Sequence, residues 1–215
     1  MRTATRIIIA TLPILTLAAI ALAGCASTGM ERSTAATTTM KTVDADIQAL
    51  VVQLDVTGAS LQEVIRPGQS DVKAAFNSYS GNVKKMESME KSFSKHADEM
   101  KVRGKDYFTE WKKEGDAYKN PQIQALSDQR RMQLGEVYGR IAENSTGVKD
   151  AFKLYVSDAK EVQAFLSTDL TTKGIESIAP VSRKVVDDGD QLKYAIKNIQ
   201  NAIEDARAEM AQNGI

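Results

Sequence analysis

The spacing of apolar side chains constrains this chain more than any other feature of its sequence. Over residues 40–64 the seam positions alternate three and four residues apart: Met40, Val43, Ile47, Leu50, Leu54, Thr57, Leu61 and Val64. This is the heptad a/d spacing, which predicts a long α-helix that buries one seam against partner helices. Sustained alternation with a period of two, which would indicate half-buried strands, is absent from the sequence.

Helix-breaking segments divide the periodic region into four predicted helices. The first seam stops at Arg66-Pro67-Gly68, Asn120-Pro121 places a cap before a proline at the first helical position, and a Ser/Thr/Asp-rich turn spans 167–171. The second helix is predicted to run from 71 to about 119, which gives a length of about 70 Å at 1.5 Å per residue. Pro180 should kink the fourth helix or delay its start.

Short turns between long helices force each helix to run antiparallel to the one before it. We therefore predict an all-α fold over residues 40–213, an elongated antiparallel four-helix bundle with coiled-coil-like packing. Two loosely associated helical hairpins are the alternative architecture.

The N-terminal segment has the organisation of a secretory signal. Two arginines precede the apolar stretch 7–22, which is short for a membrane-spanning helix and ends in small residues. The stretch closes on Leu22-Ala23-Gly24-Cys25, which closely resembles the bacterial lipobox. In that class of signal the cysteine thiol receives a diacylglyceryl group, the chain is cleaved before it, and the new amine is acylated. We therefore assign 1–24 as a lipoprotein signal peptide and Cys25 as the lipid attachment site, the alternative being an ordinary buried cysteine beside an ordinary signal.

The residues after Cys25 set the expected location and tether of the protein. Residues 26–39 are rich in Ser, Thr and Ala and have no apolar period, so 25–39 is predicted to be the acylated cysteine and a flexible tether that reaches at most roughly 45 Å. Ala26 and Ser27 follow the cysteine, and the Asp that marks inner-membrane retention in such lipoproteins is absent there. We expect lipid anchoring at the periplasmic face of the outer membrane.

Composition narrows the function classes. Lys plus Arg and Asp plus Glu each total 28, and this zero formal charge argues against a nucleic-acid partner. One Cys and one His exclude disulfide scaffolds, Cys-rich zinc sites and Cys-x-x-Cys redox motifs. We expect no enzymatic activity, no cofactor and no metal.

Two segments contain side chains of the types that bind metal ions. A stripe of soft side chains on the second helix has the ligand types that suit Cu(I), and it comprises Met86, Met89, Phe93, His96 and Met100. Methionine filling of the core beside a half-exposed histidine is the favoured interpretation. The run Asp187-Asp188-Gly189-Asp190 lacks the alternate acidic positions and distal Glu of a calcium loop, so a solvated acidic helix face is favoured there.

The end of the predicted second helix combines aromatic rings with lysines. Because the predicted first helix starts at Met40, the second is about 20 residues longer and would project roughly 30 Å toward the membrane. Aromatic rings and lysines suit the headgroup region. The candidate membrane-contact tip comprises Tyr107, Phe108, Trp111, Lys112, Lys113 and Tyr118. Packing of these rings against Ile123 and Leu126 at the bundle end is the alternative.

Several segments together carry a family resemblance. The lipobox and the segments 40–47, 53–61, 104–108 and 187–192 resemble a family of proteobacterial lipoproteins classified as a domain of unknown function, DUF2959. The resemblance covers nearly the whole mature chain and implies an envelope lipoprotein of helical, coiled-coil character. It implies no catalytic residues.

These features lead to two expected functions. The first is a non-enzymatic structural or protein-interaction module of the cell envelope, anchored in the membrane through Cys25 and bound to an unidentified envelope protein or to a second copy. Apolar residues outside the seam, Phe108, Val156 and Val186, are its candidate contacts. The alternative is an envelope stress sensor that binds lipid or a small ligand where glycines interrupt the seam. Those glycines are Gly104, Gly135, Gly139, Gly147 and Gly189.

Overall fold

Four long helices make up the part of the chain that the structure describes. The computed structural model describes residues 28–211, with their side chains as far as 208. The predicted signal peptide 1–24 and the lipid attachment site Cys25 lie outside the described residues. The helices are α1 (Gly29–Val64), α2 (Val72–Gly115), α3 (Pro121–Thr168) and α4 (Thr172–Ala211). No strand occurs between residues 28 and 211, so the predicted all-α fold is confirmed.

The four helices close into one antiparallel bundle. Each helix packs against its neighbour in the chain, α4 also packs against α1, and the diagonal helices stay apart. Arg32 near the start of α1 pairs with Glu114 near the end of α2. Asp44 of α1 lies 2.7 Å from Arg207 near the end of α4. These pairs show that α1 runs antiparallel to both neighbours, and the α1–α4 contact excludes two separate hairpins.

The predicted seams supply the core of the bundle. All eight α1 seam residues from Met40 to Val64 are buried, as is the middle of each of the other seams. The largest fully buried side chains are Tyr79, Phe93, Phe152, Met40, Ile47, Leu50, Leu61, Met86, Met100, Ile141, Leu166 and Ile196. At 1.5 Å per residue, the 48 residues of α3 give a rod about 72 Å long.

Helix α1 begins at Gly29, so the prediction of a flexible tether over 25–39 is wrong for residues 29–39. A capping box starts the helix: the Thr28 hydroxyl accepts a hydrogen bond from the Glu31 amide at 3.2 Å, and the Glu31 carboxylate accepts one from the Thr28 amide at 2.6 Å. Ala36 is buried in the core. Residues 29–39 are rich in small Ala and Thr side chains, so the sequence shows no hydrophobic period there. Such side chains nevertheless fit a close interface between helices.

The turns follow local side-chain chemistry. Asp71 caps α2 by accepting a hydrogen bond from the Ala74 amide at 2.9 Å, and Asn120 caps α3 in front of Pro121 as predicted. Gly68, with a φ of 73°, takes the left-handed conformation that turns the chain between α1 and α2. Helix α4 starts at Thr172 and continues through Pro180, so the proline does not delay its start.

Candidate functional site

Within the described residues, one end of the bundle is built from three helices, and we call it the proximal end. It comprises Thr28 with the start of α1 (29–36), the end of α2 (105–115), the turn 116–120 and the start of α3 (121–134). From the Asp44–Arg207 pair, α1 extends about 22 Å to its first residue and α4 only about 6 Å to Ala211, at 1.5 Å per residue. Within the described chain, α1, α2 and α3 therefore pass the end of α4.

The predicted 30 Å projection of α2 is wrong. Arg32 is three residues into α1 and pairs with Glu114, the penultimate residue of α2. The two helix ends therefore lie side by side. The predicted projection assumes a first helix that starts at Met40, whereas the helix capped by Thr28 starts 11 residues earlier, at Gly29.

An aromatic cluster fills the interior of the proximal end. The Tyr107 ring centroid lies 5.0 Å from that of Phe108 and 5.4 Å from that of Trp111. Phe108 also meets Tyr138 edge-on at 5.7 Å, and the Trp111 indole N–H donates to the Ser127 hydroxyl at 3.0 Å. Tyr107, Phe108 and Trp111 are half-buried packing residues.

Tyr138 connects the aromatic cluster to the core, and its ring packs directly against Gly104. A Cβ at Gly104 would lie 1.9 Å from the Tyr138 ring, so only glycine leaves room for that ring. The Tyr138 hydroxyl donates a hydrogen bond to the Met100 carbonyl, and burial raises the pKa of Tyr138 to about 12. The aromatic cluster is therefore held rigidly between α2 and α3.

The remaining members of the predicted tip are on the surface. Lys112, Lys113 and Tyr118 are exposed. Lys112 Nζ lies 2.5 Å from an Asp116 carboxylate oxygen and Lys113 Nζ lies 3.6 Å from Glu110. A carboxylate lies close to each lysine and offsets its charge. The surface of the proximal end is therefore distinguished more by its apolar side chains than by its net charge.

Sequence reasoning missed an exposed apolar surface at the proximal end. Met30 is 70% exposed, Leu126 66%, Ile123 48% and Tyr118 47%. Ile123 and Leu126 continue the α3 seam but are exposed, because no helix of the described residues covers them.

The metal candidates take structural roles. His96 Nδ1 lies 2.6 Å from Asp46 Oδ2 and joins α2 to α1. Asp188 and Asp190 lie within α4 and pair with Lys184 at 2.6 Å and Lys193 at 2.7 Å. Among the residues described, no group of three or more His, Cys, Asp or Glu side chains could hold a metal ion.

Aromatic rings occupy most of the space beside the seam glycines. The Tyr155 ring lies 3.1 Å from where a Cβ at Gly189 would be, and the Phe108 ring lies 3.9 Å from that of Gly135. Gly139 and Gly147 have no such neighbour within 4 Å. With Tyr138 against Gly104, three of the five glycines are sites of close ring packing in this bundle.

The far end of the bundle carries a cleft of about 370 Å³ between the α1–α2 turn and the start of α4. Val64 and Ile175 contribute apolar surface to it, and Arg66 and Arg183 contribute positive charge. A cleft of this size is at the lower limit for a small-ligand site.

The predicted interaction residues are largely covered, and a different face is open. Val156 is buried, and Phe108 and Val186 pack against the core. The solvent side of α1 instead exposes residues spaced four and three apart, namely Ala45, Ala49, Val52, Val56 and Ala59. This spacing repeats the heptad pattern on a face that no helix of the described chain covers.

Comparison with known proteins gives a family without a function. A family model described as "Protein of unknown function (DUF2959)" matches residues 53–212. No curated protein and no solved structure matches the chain. A search of the described helices for a stretch long and apolar enough to cross a bilayer finds none.

Proposed function

The chain belongs to the DUF2959 family of unknown function, and from its own residues we propose that it is a lipid-anchored structural or protein-interaction module of the cell envelope. The observation that carries the proposal is the lipobox at Leu22 to Cys25 immediately before a rigid helical rod. The acyl chains would hold the protein at the periplasmic face of the outer membrane, and no catalytic role is proposed for any residue.

The rod geometry supports a module that bridges distance. Its core is continuous along helices of 36 to 48 residues, and α3 alone spans about 72 Å. A closely packed bundle of this length is stiff, because bending it would disturb contacts along the whole seam. Such a rod can present one face at a fixed height above the membrane.

The outer face of α1 supports an interaction role. Val52 and Val56 are exposed in the middle of a heptad-spaced stripe. A helix of an envelope protein, or of a second copy of this chain, can form a coiled-coil contact with such a stripe.

The first experiment tests the anchor. Cells producing the full chain are labelled with an alkyne analogue of palmitate and their membranes are separated by density. We expect label on the wild-type protein in the outer-membrane fraction, and no label on Cys25→Ser, which removes the chain's only cysteine. Unlabelled wild-type protein would refute the lipoprotein assignment.

The second experiment tests the interaction face. A photoactivatable amino acid replaces Val52 on α1 or, as a control, Leu154 on α3, which is equally exposed. We expect one stoichiometric crosslinked species, a defined envelope protein or a dimer, from position 52 alone. The same products from both positions would contradict a specific role for α1.

One observation favours the alternative, a sensor that binds lipid or a small ligand. The far-end cleft is lined by the apolar Ile175 and by two arginines, Arg66 and Arg183, against one carboxylate, Glu176, and this lining suits an amphipathic anion. Native mass spectrometry of the purified protein is the test. A co-purified ligand that is lost from Arg183→Ala and kept by Lys173→Ala, a change outside the cleft on the same helix, would support the sensor. A ligand-free wild-type protein would count against it.

A further inference from the structure

We propose that the proximal end rests on the bilayer surface, with Tyr118, Ile123 and Leu126 inserted at the level of the lipid headgroups. This inference rests on the proposed acylation of Cys25 and goes beyond it. An acyl anchor alone would leave the orientation of the rod free, whereas insertion of the proximal end would hold the rod in a fixed orientation on the membrane.

The length of chain between the anchor and the bundle is the first argument. Two residues, Ala26 and Ser27, separate Cys25 from Thr28, and the three steps along the chain at about 3.6 Å each span at most about 11 Å. Because α1 begins directly after Thr28, acyl chains at Cys25 would keep the proximal end within about that distance of the bilayer. The predicted tether of about 45 Å would have imposed no such restriction.

The surface at this end is the second argument. Ile123 and Leu126 belong to the α3 seam, yet they are 48% and 66% exposed, because the described part of α4, up to Ala211, does not reach them. Met30 on α1 adds a further exposed apolar side chain at the same end. Exposed apolar residues from two helices at one end of a molecule are typical of a contact with a partner or a membrane.

The residues of the α2–α3 turn suit the boundary between lipid and water. Tyr118 carries an apolar ring with a polar hydroxyl, and Lys119 beside it is exposed and able to reach phosphate groups. Trp111 packs against Tyr107 and Phe108 and donates a hydrogen bond to Ser127 of α3, so the interior of this end is well packed. The apolar side chains can therefore insert without loss of the bundle's packing.

A second copy of the chain is a poorer occupant for this surface. End-to-end pairing through the proximal end would place the second rod on the side where the acyl chains of the first enter the membrane. The bilayer and a second proximal end cannot occupy the same space. Because the link to Cys25 is short, the bilayer is the occupant that fits this surface.

The single tryptophan provides a probe at the right place. Trp111 is the chain's only Trp and lies at the proximal end. Acylated full-length protein is reconstituted into phosphatidylethanolamine–phosphatidylglycerol vesicles that contain a lipid with a nitroxide on its headgroup. We expect strong quenching of Trp111 emission, and weaker quenching when the nitroxide is placed at the end of an acyl chain.

Matched variants separate insertion from anchoring. Leu126→Gln combined with Ile123→Gln should reduce headgroup quenching at least twofold while the acylated protein still floats with the vesicles. Leu154→Gln changes an α3 leucine of nearly equal exposure, 67% against 66%, and should leave the quenching unchanged. Circular dichroism confirms that each variant keeps its helices.

The outcomes distinguish the two proposals. A purified chain whose mass lacks the acyl groups would overturn both of them. An acylated chain that floats with the vesicles but shows no headgroup quenching would overturn the insertion alone. Equal loss of quenching in the Leu126 and Leu154 variants, or a crosslinked dimer through position 126 in the vesicles, would also overturn it.

Discussion

Replacing Gly104 by alanine tests the packing that holds the proximal end together. A Cβ at Gly104 would lie 1.9 Å, 2.4 Å and 2.7 Å from three atoms of the Tyr138 ring. These distances are far below van der Waals contact, so the ring must leave its site. The ring cannot move alone, because its hydroxyl donates a hydrogen bond to the Met100 carbonyl and the ring packs edge-on with Phe108.

The expected cost combines three effects. Overpacking a close-packed site costs about 1–3 kcal/mol. Loss of the buried Tyr138 hydrogen bond adds about 1 kcal/mol. Alanine is a better helix former than glycine by about 1 kcal/mol, which opposes the other two effects. The net expectation for Gly104→Ala is a loss of about 1–3 kcal/mol in the free energy of unfolding.

Gly139→Ala is the matched control. Gly139 also lies in the interior of a helix, but nothing stands within 4 Å of its Cβ position. Only the propensity effect applies, so this change should stabilise the protein by about 0.5–1 kcal/mol. The two glycine substitutions are therefore predicted to have opposite signs.

The assay is urea unfolding followed by circular dichroism at 222 nm. For a chain of this size a loss of 2 kcal/mol lowers Tm by about 4–8 °C, which a thermal scan measures easily. Tyr138→Leu in the Gly104→Ala background should recover part of the loss, because the smaller side chain makes room for the Cβ. Equal stability of Gly104→Ala and Gly139→Ala would refute the argument.

Three further predictions follow from the described contacts. Tyr79→Phe should cost about 1 kcal/mol in urea unfolding, because the buried 2.8 Å hydrogen bond from the Tyr79 hydroxyl to the Ala159 carbonyl would be lost, while that carbonyl keeps its helical hydrogen bond within α3; unchanged stability would contradict it. Glu31→Ala should remove the capping box with Thr28, costing about 1 kcal/mol and speeding amide hydrogen exchange in the first turn of α1, with no change expected at the start of α3. Burial raises the pKa of Tyr138 from 10.0 to about 12, so its contribution to stability is complete below pH 10 and is lost as the pH rises toward 12. Absorbance at 295 nm should show that some of the tyrosine residues ionise only as the protein unfolds. Ionisation of all tyrosines near pH 10 in the folded state would contradict the burial of Tyr138.

The helices and most of the core follow from the sequence because they depend on local chemistry. A heptad seam buries the same positions in any bundle, and every α1 seam residue from Met40 to Val64 is buried as predicted. The start of α3 needs only Asn120 and Pro121. The start of α1 was missed because its small side chains carry no period, and their fit depends on a neighbouring helix.

The candidate site was only partly predictable. The aromatic and lysine composition near 107–118 drew attention to the right end of the bundle, but Tyr107, Phe108 and Trp111 pack inward. The exposed Ile123 and Leu126 have the same spacing as buried seam residues and were indistinguishable from them in the sequence.

Periods, caps and turns are local properties of the chain, and they predict four antiparallel helices with defined seams. Which part of each seam is covered depends on how the helices lie against one another. Ile123 is exposed and Ile141 is buried on the same face of α3, because the described part of α4 extends past Ile141 and stops short of Ile123. Burial requires contact between two surfaces, so it depends on how far the neighbouring helix extends. The residue pattern of a single helix does not contain that information.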